Sequence, residues 1–257
     1  MSTPNYEYYG LMVKYWDLLR GDTSDWDDRL FYLDLIKKYG QPVLDIGCAS
    51  GRLILDYLSQ GIDIDGVDIS PEMIALCKQN AERKGLKPNL YVESMTELNL
   101  PRKYKTILVP SSSIQLLLEP GLPLQAMQCI HDHLESGGAV VAPFMTLWKE
   151  GNPLQGEFTQ EAMRPEDGAI IRRTGWYRFD PETQMDESHD TWEVIQDGQV
   201  IESEVHEQAP ATRSYTQAEA IALFEQAGFK DIQVFREFTF EPVKSTDTMF
   251  SIIGIKP

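Results

Sequence analysis

Val43-Leu44-Asp45-Ile46-Gly47-Cys48-Ala49-Ser50-Gly51-Arg52-Leu53 is the stretch whose reading decides the fold. Val43, Leu44 and Ile46 make an apolar run of strand length. Gly47 and Gly51 follow, removing Cβ atoms where the backbone must turn sharply and let a ligand approach. A helix opens at Gly51 and stops near Gly61, a residue suited to a left-handed C-cap. Ile62 to Val67 reads as a second strand that ends in Asp68. Strand, glycine turn, helix, strand and terminal acid form the nucleotide-binding half of a doubly wound sheet.

Glycine spacing excludes two ligand classes. A dinucleotide fingerprint needs glycine at the first, third and sixth positions of its turn; counted from Gly47, the last two are Ala49 and Arg52. A phosphate loop needs Gly-Lys-Ser/Thr, and the chain has none. The stretch resembles motif I of the class I S-adenosylmethionine-dependent methyltransferases, an acid followed by three glycines at alternate positions, here Asp45, Gly47, Ala49 and Gly51. Ala49 departs from that pattern, which usually has glycine. The resemblance is to the small-molecule type, the amino-sugar and glycine N-methyltransferase-like proteins. It implies S-adenosylmethionine as cofactor and S-adenosylhomocysteine as product, held by the motif I residues with Arg52. It also implies Asp68 accepting from the ribose hydroxyls, with Ile69 beside it.

Composition sets further bounds. The chain has 257 residues, 42% of them hydrophobic, enough for a full-sized core in one large domain or a domain with an insertion. No apolar run reaches membrane-spanning length. Met1 to Gly10 lacks the basic start and apolar middle of a signal peptide. Cys48, Cys77 and Cys129 have no metal-ligand spacing, and an odd count argues against a disulfide framework; a reducing cytoplasm is the expected home. The formal net charge of -17 argues against a nucleic-acid partner.

Around this unit the chain reads in order. Tyr6 to Arg20 is aromatic-rich, and Leu11, Tyr15 and Leu18 have helical spacing; the segment either packs on the core or covers the cofactor. By resemblance Trp16-Asp17 stands where related enzymes have a Tyr-Asp pair, and Tyr15 would present an aromatic face to a sulfonium cation. Asp25 to Tyr39 is a second helix with a stripe of Trp26, Leu30, Leu33 and Ile36. Ser70-Pro71 caps a helix that runs to Arg83-Lys84. Leu90 to Val92 is a third strand, and beyond it the family reads adenine; Ser94 and Met95 stand there. Thr106 to Val109 is a fourth strand, leading into Pro110-Ser111-Ser112-Ser113. The family places that loop beside the transferring methyl, and its Asn/Asp-Pro-Pro-aromatic form, used on nucleobase amines, is absent. Leu122 to Leu134 is a helix. His131 and His133 on it face different sides and make no metal pair.

After a fifth strand, Ala139 to Phe144, the pattern changes. Glu150 to Gln208 reads as loops and long strands, Ile170 to Phe179, His189 to Gln196 and Gln199 to Val205, with a hairpin turn at Asp197-Gly198. From Lys149 to Tyr215 there are 15 acids against six Lys and Arg, a solvated face or a field attracting a cation. The core resumes at Thr216-Gln217-Ala218-Glu219, a capping box, then strands at Ile232 to Phe235 and Met249 to Ile255.

The expected architecture is α/β, a Rossmann-like seven-stranded doubly wound sheet with an antiparallel last strand and an inserted antiparallel β lid. Residues 1–40 form a helical cover, 41–148 the cofactor-binding core, 149–215 the lid and 216–257 the completion of the core. The expected function is methyl transfer to a small polar metabolite, at an amine; small-molecule O-methylation and cofactor binding without turnover are the alternatives. Alignment and exclusion of water can supply much of the acceleration, and Tyr9 and His206 are the candidate proton acceptors. No metal, nucleic acid or membrane is expected, and the state is monomer or homodimer.

Overall fold

The computed structural model describes residues 6–257; residues 1–5 of the cover segment lie outside the described residues. In chain order the elements are α1 Gly10–Arg20, α2 Asp27–Tyr39, β1 Val43–Ile46, α3 Arg52–Ser59, β2 Ile64–Asp68, α4 Pro71–Arg83, β3 Asn89–Val92, β4 Tyr104–Leu108, α5 Leu122–His133 and β5 Leu134–Met145. There follow β6 Gln155–Met163, β7 Ile170–Asp180, β8 Met185–Gln196, β9 Gln199–Arg213, α6 Gln217–Gln226, β10 Lys230–Arg236 and β11 Met249–Ile255.

Seven strands form one sheet in the order β10-β11-β5-β4-β1-β2-β3. β5, β4, β1, β2 and β3 run parallel. β11 is antiparallel to both its neighbours, β10 and β5. Every residue of β1 and β2 is buried, as expected of central parallel strands covered on both faces. Strand order reverses between β1 and β4, and an open α/β sheet forms its ligand crevice at the carboxyl ends of such strands. The Gly47–Gly51 turn stands there. The expected seven-stranded sheet with its antiparallel last strand is therefore present.

The second sheet is antiparallel, in the order β6-β7-β8-β9, and lies in the chain between β5 and α6. Asp197 and Gly198 have φ of 51° and 75°, the left-handed pair of a two-residue hairpin. The sequence reading missed β6, whose alternating Glu, Thr and Gln residues are largely exposed and give no apolar run. One face of this sheet packs on α1: Met12 and Tyr15 join Ala169, Ile171, Trp192 and Val194 in one buried cluster. α1 therefore packs its apolar face on the inserted sheet, while its other side meets α4 and the turn after β1.

The stripe expected on α2 is also corrected. Trp26 and Leu30 are exposed, and the buried face is Asp28, Phe31, Tyr32, Leu35 and Ile36. This is the wider i, i+3, i+4, i+7, i+8 pattern. Phe31 stacks on Phe238 and Phe240, from the segment between β10 and β11, a contact no local pattern announces. His131 packs on Phe229 and His133 Nδ1 meets the Cys129 carbonyl at 2.8 Å, so both are structural.

The chain returns to the core through the capping box at α6: the Thr216 hydroxyl accepts from the Glu219 N–H at 3.2 Å and Glu219 accepts from the Thr216 N–H at 2.9 Å. Thr216→Ala should lower the free energy of unfolding by about 1 kcal/mol. Urea denaturation measures it, and an unchanged midpoint would show that the cap is redundant.

Candidate functional site

The turn after β1 is built from left-handed residues: Gly47 at φ 75°, Ala49 at 47° and Gly51 at 96°. A Cβ at Gly47 would stand 3.0 Å from Ser113 Oγ, and one at Gly51 would stand 2.7 Å from Cys77 Sγ. The bare Cα of Gly47 thus keeps open the space between this turn and the loop after β4. Ala49 holds a conformation that costs a residue with a side chain about 1 kcal/mol or more. The compensation is visible: its N–H donates to Asp68 Oδ2 at 2.9 Å, while Asp68 Oδ1 accepts from the Ser70 N–H at 2.8 Å. Burial raises the Asp68 pKa, and the two N–H donors oppose that rise. Each carboxylate oxygen keeps a free lone pair, which suits it to a pair of vicinal hydroxyls.

Asp45 lies buried beneath the turn. Burial pushes its carboxyl up to about 7, with Arg52 acting against the shift and Asp68 with it. Its Oδ1 has no hydrogen-bond partner among the described residues. Arg52 is placed differently from the sequence expectation. It forms a buried two-pronged ion pair with Asp28 under the Trp26 ring, so its charge acts on Asp45 at a distance. Ile69 is half exposed at the end of β2. Ser94 Oγ is taken up by Thr96, at 2.8 Å from its hydroxyl, and Met95 packs against the larger core cluster.

The loop after β4 carries two consecutive left-handed residues, Ser111 and Ser112, both at φ 56°. Pro110 is buried. Ser113 Oγ donates to the Pro110 carbonyl at 2.7 Å, and the Ser112 hydroxyl is buried with no partner among the described residues. Gln115, fully buried, fixes this loop. Its amide donates to the carbonyls of Met145 at 3.0 Å and Arg213 at 2.5 Å and accepts from the Met145 N–H at 2.6 Å. One side chain therefore ties the loop to the end of β5 and to the last residue of β9.

Tyr15 does not reach the turn. It is buried in the cluster under the inserted sheet and its hydroxyl accepts from Arg164 at 2.5 Å. One turn along the same helix, Asp17 and Arg20 do reach it. Asp17 Oδ1 accepts from Ser50 Oγ and from Arg20, both at 2.6 Å, and Oδ2 accepts from Asn80 at 2.8 Å. Arg20 also donates to Ser50 Oγ at 3.0 Å, and its Nε is buried without a partner among the described residues. The sequence reading placed Asp17 only within a pair and passed over Arg20. An opposite-charge pair at i, i+3 on a largely apolar helix was the available signal.

Tyr9 and His206 are brought together: their rings lie 4.4 Å apart between centroids. His206 is buried, with Nε2 at 2.5 Å from Glu204 Oε1. Beside them a cavity of about 90 Å3 is lined by Glu7, Tyr8, Trp16, Arg173, Asp190 and His206, among others. Among the described residues there is no group of three or more His, Cys, Asp or Glu placed to hold a metal. No helix among them is long and apolar enough to cross a membrane.

This geometry is that of a known class. Residues 43–138 match the model of a methyltransferase domain. The chain superposes on an S-adenosylmethionine-dependent methyltransferase from Clostridium acetobutylicum with a TM-score of 0.76 at 16% identity, covering 94% of this chain and 96% of that one. It superposes on a sugar N-methyltransferase from a Streptoalloteichus species with a TM-score of 0.69 at 18% identity, covering 100% and 98%. Among curated relatives, the ribosomal protein L11 methyltransferase of Alteromonas mediterranea is 34% identical over 113 residues, 44% of this chain and 36% of that one. The chain spans about half the length, or less, of the curated relatives it matches. Residues 43–138 thus match a methyltransferase domain, and the fold is the one shared by S-adenosylmethionine-dependent methyltransferases.

Gln115→Ala leaves three backbone groups without their partner. It should cost roughly 2–3 kcal/mol of stability, read by thermal and urea unfolding. A loss within about 0.5 kcal/mol, the range of neutral surface substitutions, would show that the loop is held by something else.

Proposed function

We propose that this protein is an S-adenosylmethionine-dependent methyltransferase that acts on an amine of a small polar metabolite. The observation that carries the reading is the left-handed Gly47–Gly51 turn pinned by Asp68, opposite a loop that the missing Cβ of Gly47 keeps clear. The residues present fit the cofactor. Asp68 offers two acceptor oxygens of the kind a ribose needs, and the unpartnered Asp45 Oδ1 and Arg20 Nε offer an acceptor and a donor for the charged ends of an amino acid. When bound, the cofactor supplies a methyl group on a sulfonium centre. What the chain supplies is position and exclusion of water: Asp68 orients, Gly47 and Ser113 set the width of the cleft, and Gln115 holds the loop rigid. The cover of residues 6–40 and the insertion of residues 149–215 close the site from above.

The amine is favoured by the acids around the inserted sheet. Many of them are already paired, Glu161 and Glu193 with Arg172 and Glu187 with Arg178. Glu7 and Asp186 are outside those pairs and, with the Arg173-paired Asp190, gather next to the N-terminal segment. That is where a cationic acceptor is drawn. The fold shared with a sugar N-methyltransferase supports the same choice. A large nucleic-acid partner is disfavoured by the net charge of -17. One observation favours a second reading: a cavity of about 90 Å3 is small, as it would be in a protein that binds the cofactor without turning over.

Two measurements test this. Calorimetry with S-adenosylhomocysteine should show binding that Gly47→Val abolishes and that Asp68→Ala weakens by about 1–3 kcal/mol; undiminished affinity in both variants sinks the assignment. A panel of amines, phenols and carboxylates with labelled S-adenosylmethionine should label amines, equally with and without EDTA. Label on phenols or carboxylates alone would move the acceptor to oxygen, and dependence on a restored divalent ion would introduce a metal.

A further inference from the structure

The N-terminal segment before α1 is strapped across the carboxyl end of β2. Ser70 Oγ donates to the Tyr8 carbonyl at 2.7 Å, the Gly10 N–H donates to Glu72 at 2.8 Å, and the Leu11 N–H donates to Glu204 on β9 at 3.1 Å. Between this strap and the inner face of the second sheet lies the 90 Å3 cavity. It has room for several waters or a small polar group.

Its lining contains polar groups that the protein itself leaves incomplete. Asp190 is 4% exposed; one oxygen pairs with Arg173, and Oδ1 has no partner among the described residues. Its register partner Gly175 has no side chain, and a Cβ there would stand 2.6 Å from that same oxygen. The Trp16 indole N–H is likewise buried without a partner among the described residues. Burial pushes the Glu7 carboxyl up to about 7; Asp186 and Asp190 on β8 push the same way, while Gln208 on β9 and Arg173 on β7 oppose them. His206 is already engaged by Glu204, and Tyr8 packs edge-on against Trp16 at 5.1 Å. An orphan acceptor, a second carboxyl and an orphan donor therefore face one small space.

We propose that this cavity is a binding subsite for a vicinal amino alcohol, whose ammonium donates to Asp190 Oδ1 and Glu7 and whose neighbouring hydroxyl oxygen accepts from the Trp16 indole N–H. The inference rests on the methyltransferase reading for its purpose, since it names the part of the acceptor the protein grips. It rests on the cavity alone for its chemistry. A buried carboxylate oxygen without a donor is costly, and an ammonium supplies that donor to Asp190 Oδ1 together with a counter-charge for the Glu7 carboxylate. The hydroxyl separates an amino alcohol from a simple amine, because only the former satisfies the indole.

The test uses the full chain with S-adenosylhomocysteine present and three small probes: 2-aminoethanol, ethylamine and 1,2-ethanediol. Saturation-transfer NMR reads probe binding, and calorimetry on the same samples reads the nucleoside. Aminoethanol should bind most tightly, ethylamine several-fold more weakly, and the diol not measurably. Glu7→Gln and Asp190→Asn should each weaken aminoethanol about tenfold or more, as for a lost charge-assisted bond. Trp16→Phe should erase only the preference for aminoethanol over ethylamine. Because Glu7 ionises as pH rises, aminoethanol affinity should climb between pH 6 and 8, and Glu7→Gln should flatten that climb. Glu7 lies on the strap outside both sheets, so its variant decides the matter even if Asp190→Asn fails to fold. Diol binding equal to that of aminoethanol, or aminoethanol binding unchanged in Glu7→Gln, overturns the subsite. Nucleoside binding without amine binding overturns the subsite alone; amine binding without nucleoside binding overturns the methyltransferase reading alone.

Discussion

The Asp68 carboxylate accepts the Ala49 N–H at 2.9 Å and the Ser70 N–H at 2.8 Å, and much of the structure is strung from those two bonds. The first holds the turn after β1 in a left-handed shape that Ala49 would not choose. The second fixes the start of α4, where Ser70 Oγ caps the helix by accepting from the Met73 N–H at 3.1 Å. The same hydroxyl donates to Tyr8, and Glu72, two residues on, receives Gly10. The strap and α1 are thereby laid over the core, and α1 carries the second sheet on its other side through Tyr15, Met12 and Leu11. A carboxylate is the group that can do this, because it accepts several bonds at once and gains strength from its charge.

The buried acids divide by the company they keep. Asp28 has Arg52, and Asp65 has Arg102 with the Tyr104 hydroxyl; both acids have their charge met within the protein, and they read as structural. Asp45 and Glu7 have no such partner, and burial raises each to about 7. For an acid whose folded pKa lies above its unfolded one, the folded state binds the extra proton between the two values. Stability from this source therefore falls as pH rises from about 4.5 toward 7. The protein bears that cost at two places, under the glycine turn and under the strap, where a bound cation would reverse it.

Much of the fold was legible because its signals are local. The apolar run of β1, the glycines of its turn, the Ser70 cap, the Asp197-Gly198 hairpin and the Thr216 capping box each lie within a few residues of what they determine. What escaped lies across the chain. The buried face of α2 is chosen by Phe238 and Phe240, some two hundred residues away. β6 is an edge strand, largely exposed, whose few apolar residues form no run. Tyr15 and Asp17 are neighbours in sequence on different faces of α1, and only the position of the inserted sheet decides which one meets the turn. Glu7 looked like a polar terminus because burial by β8 and β9 cannot be read from the strap's own residues.

Part of the strain and of the unmet polar groups gathers at one crevice. Among the described residues, three of the seven left-handed ones other than glycine, Ala49, Ser111 and Ser112, flank the crevice between β1 and β4. The orphaned polar atoms of Asp45, Arg20 and Ser112 stand around the same crevice, and those of Asp190 and Trp16 around the cavity next to it. Local strain persists only where surrounding structure over-determines it, and the over-determining bonds are on view: Asp68 for Ala49, Gln115 for the serine loop. Unpaired buried groups have no such internal remedy, because each costs the full desolvation of a polar atom. A fold that satisfies Gln115 with three bonds has the means to satisfy Asp45 and Asp190 as well. That it leaves them open, one beneath the glycine turn and one at the inner face of the second sheet, suits both places to ligands that bring the missing donors with them.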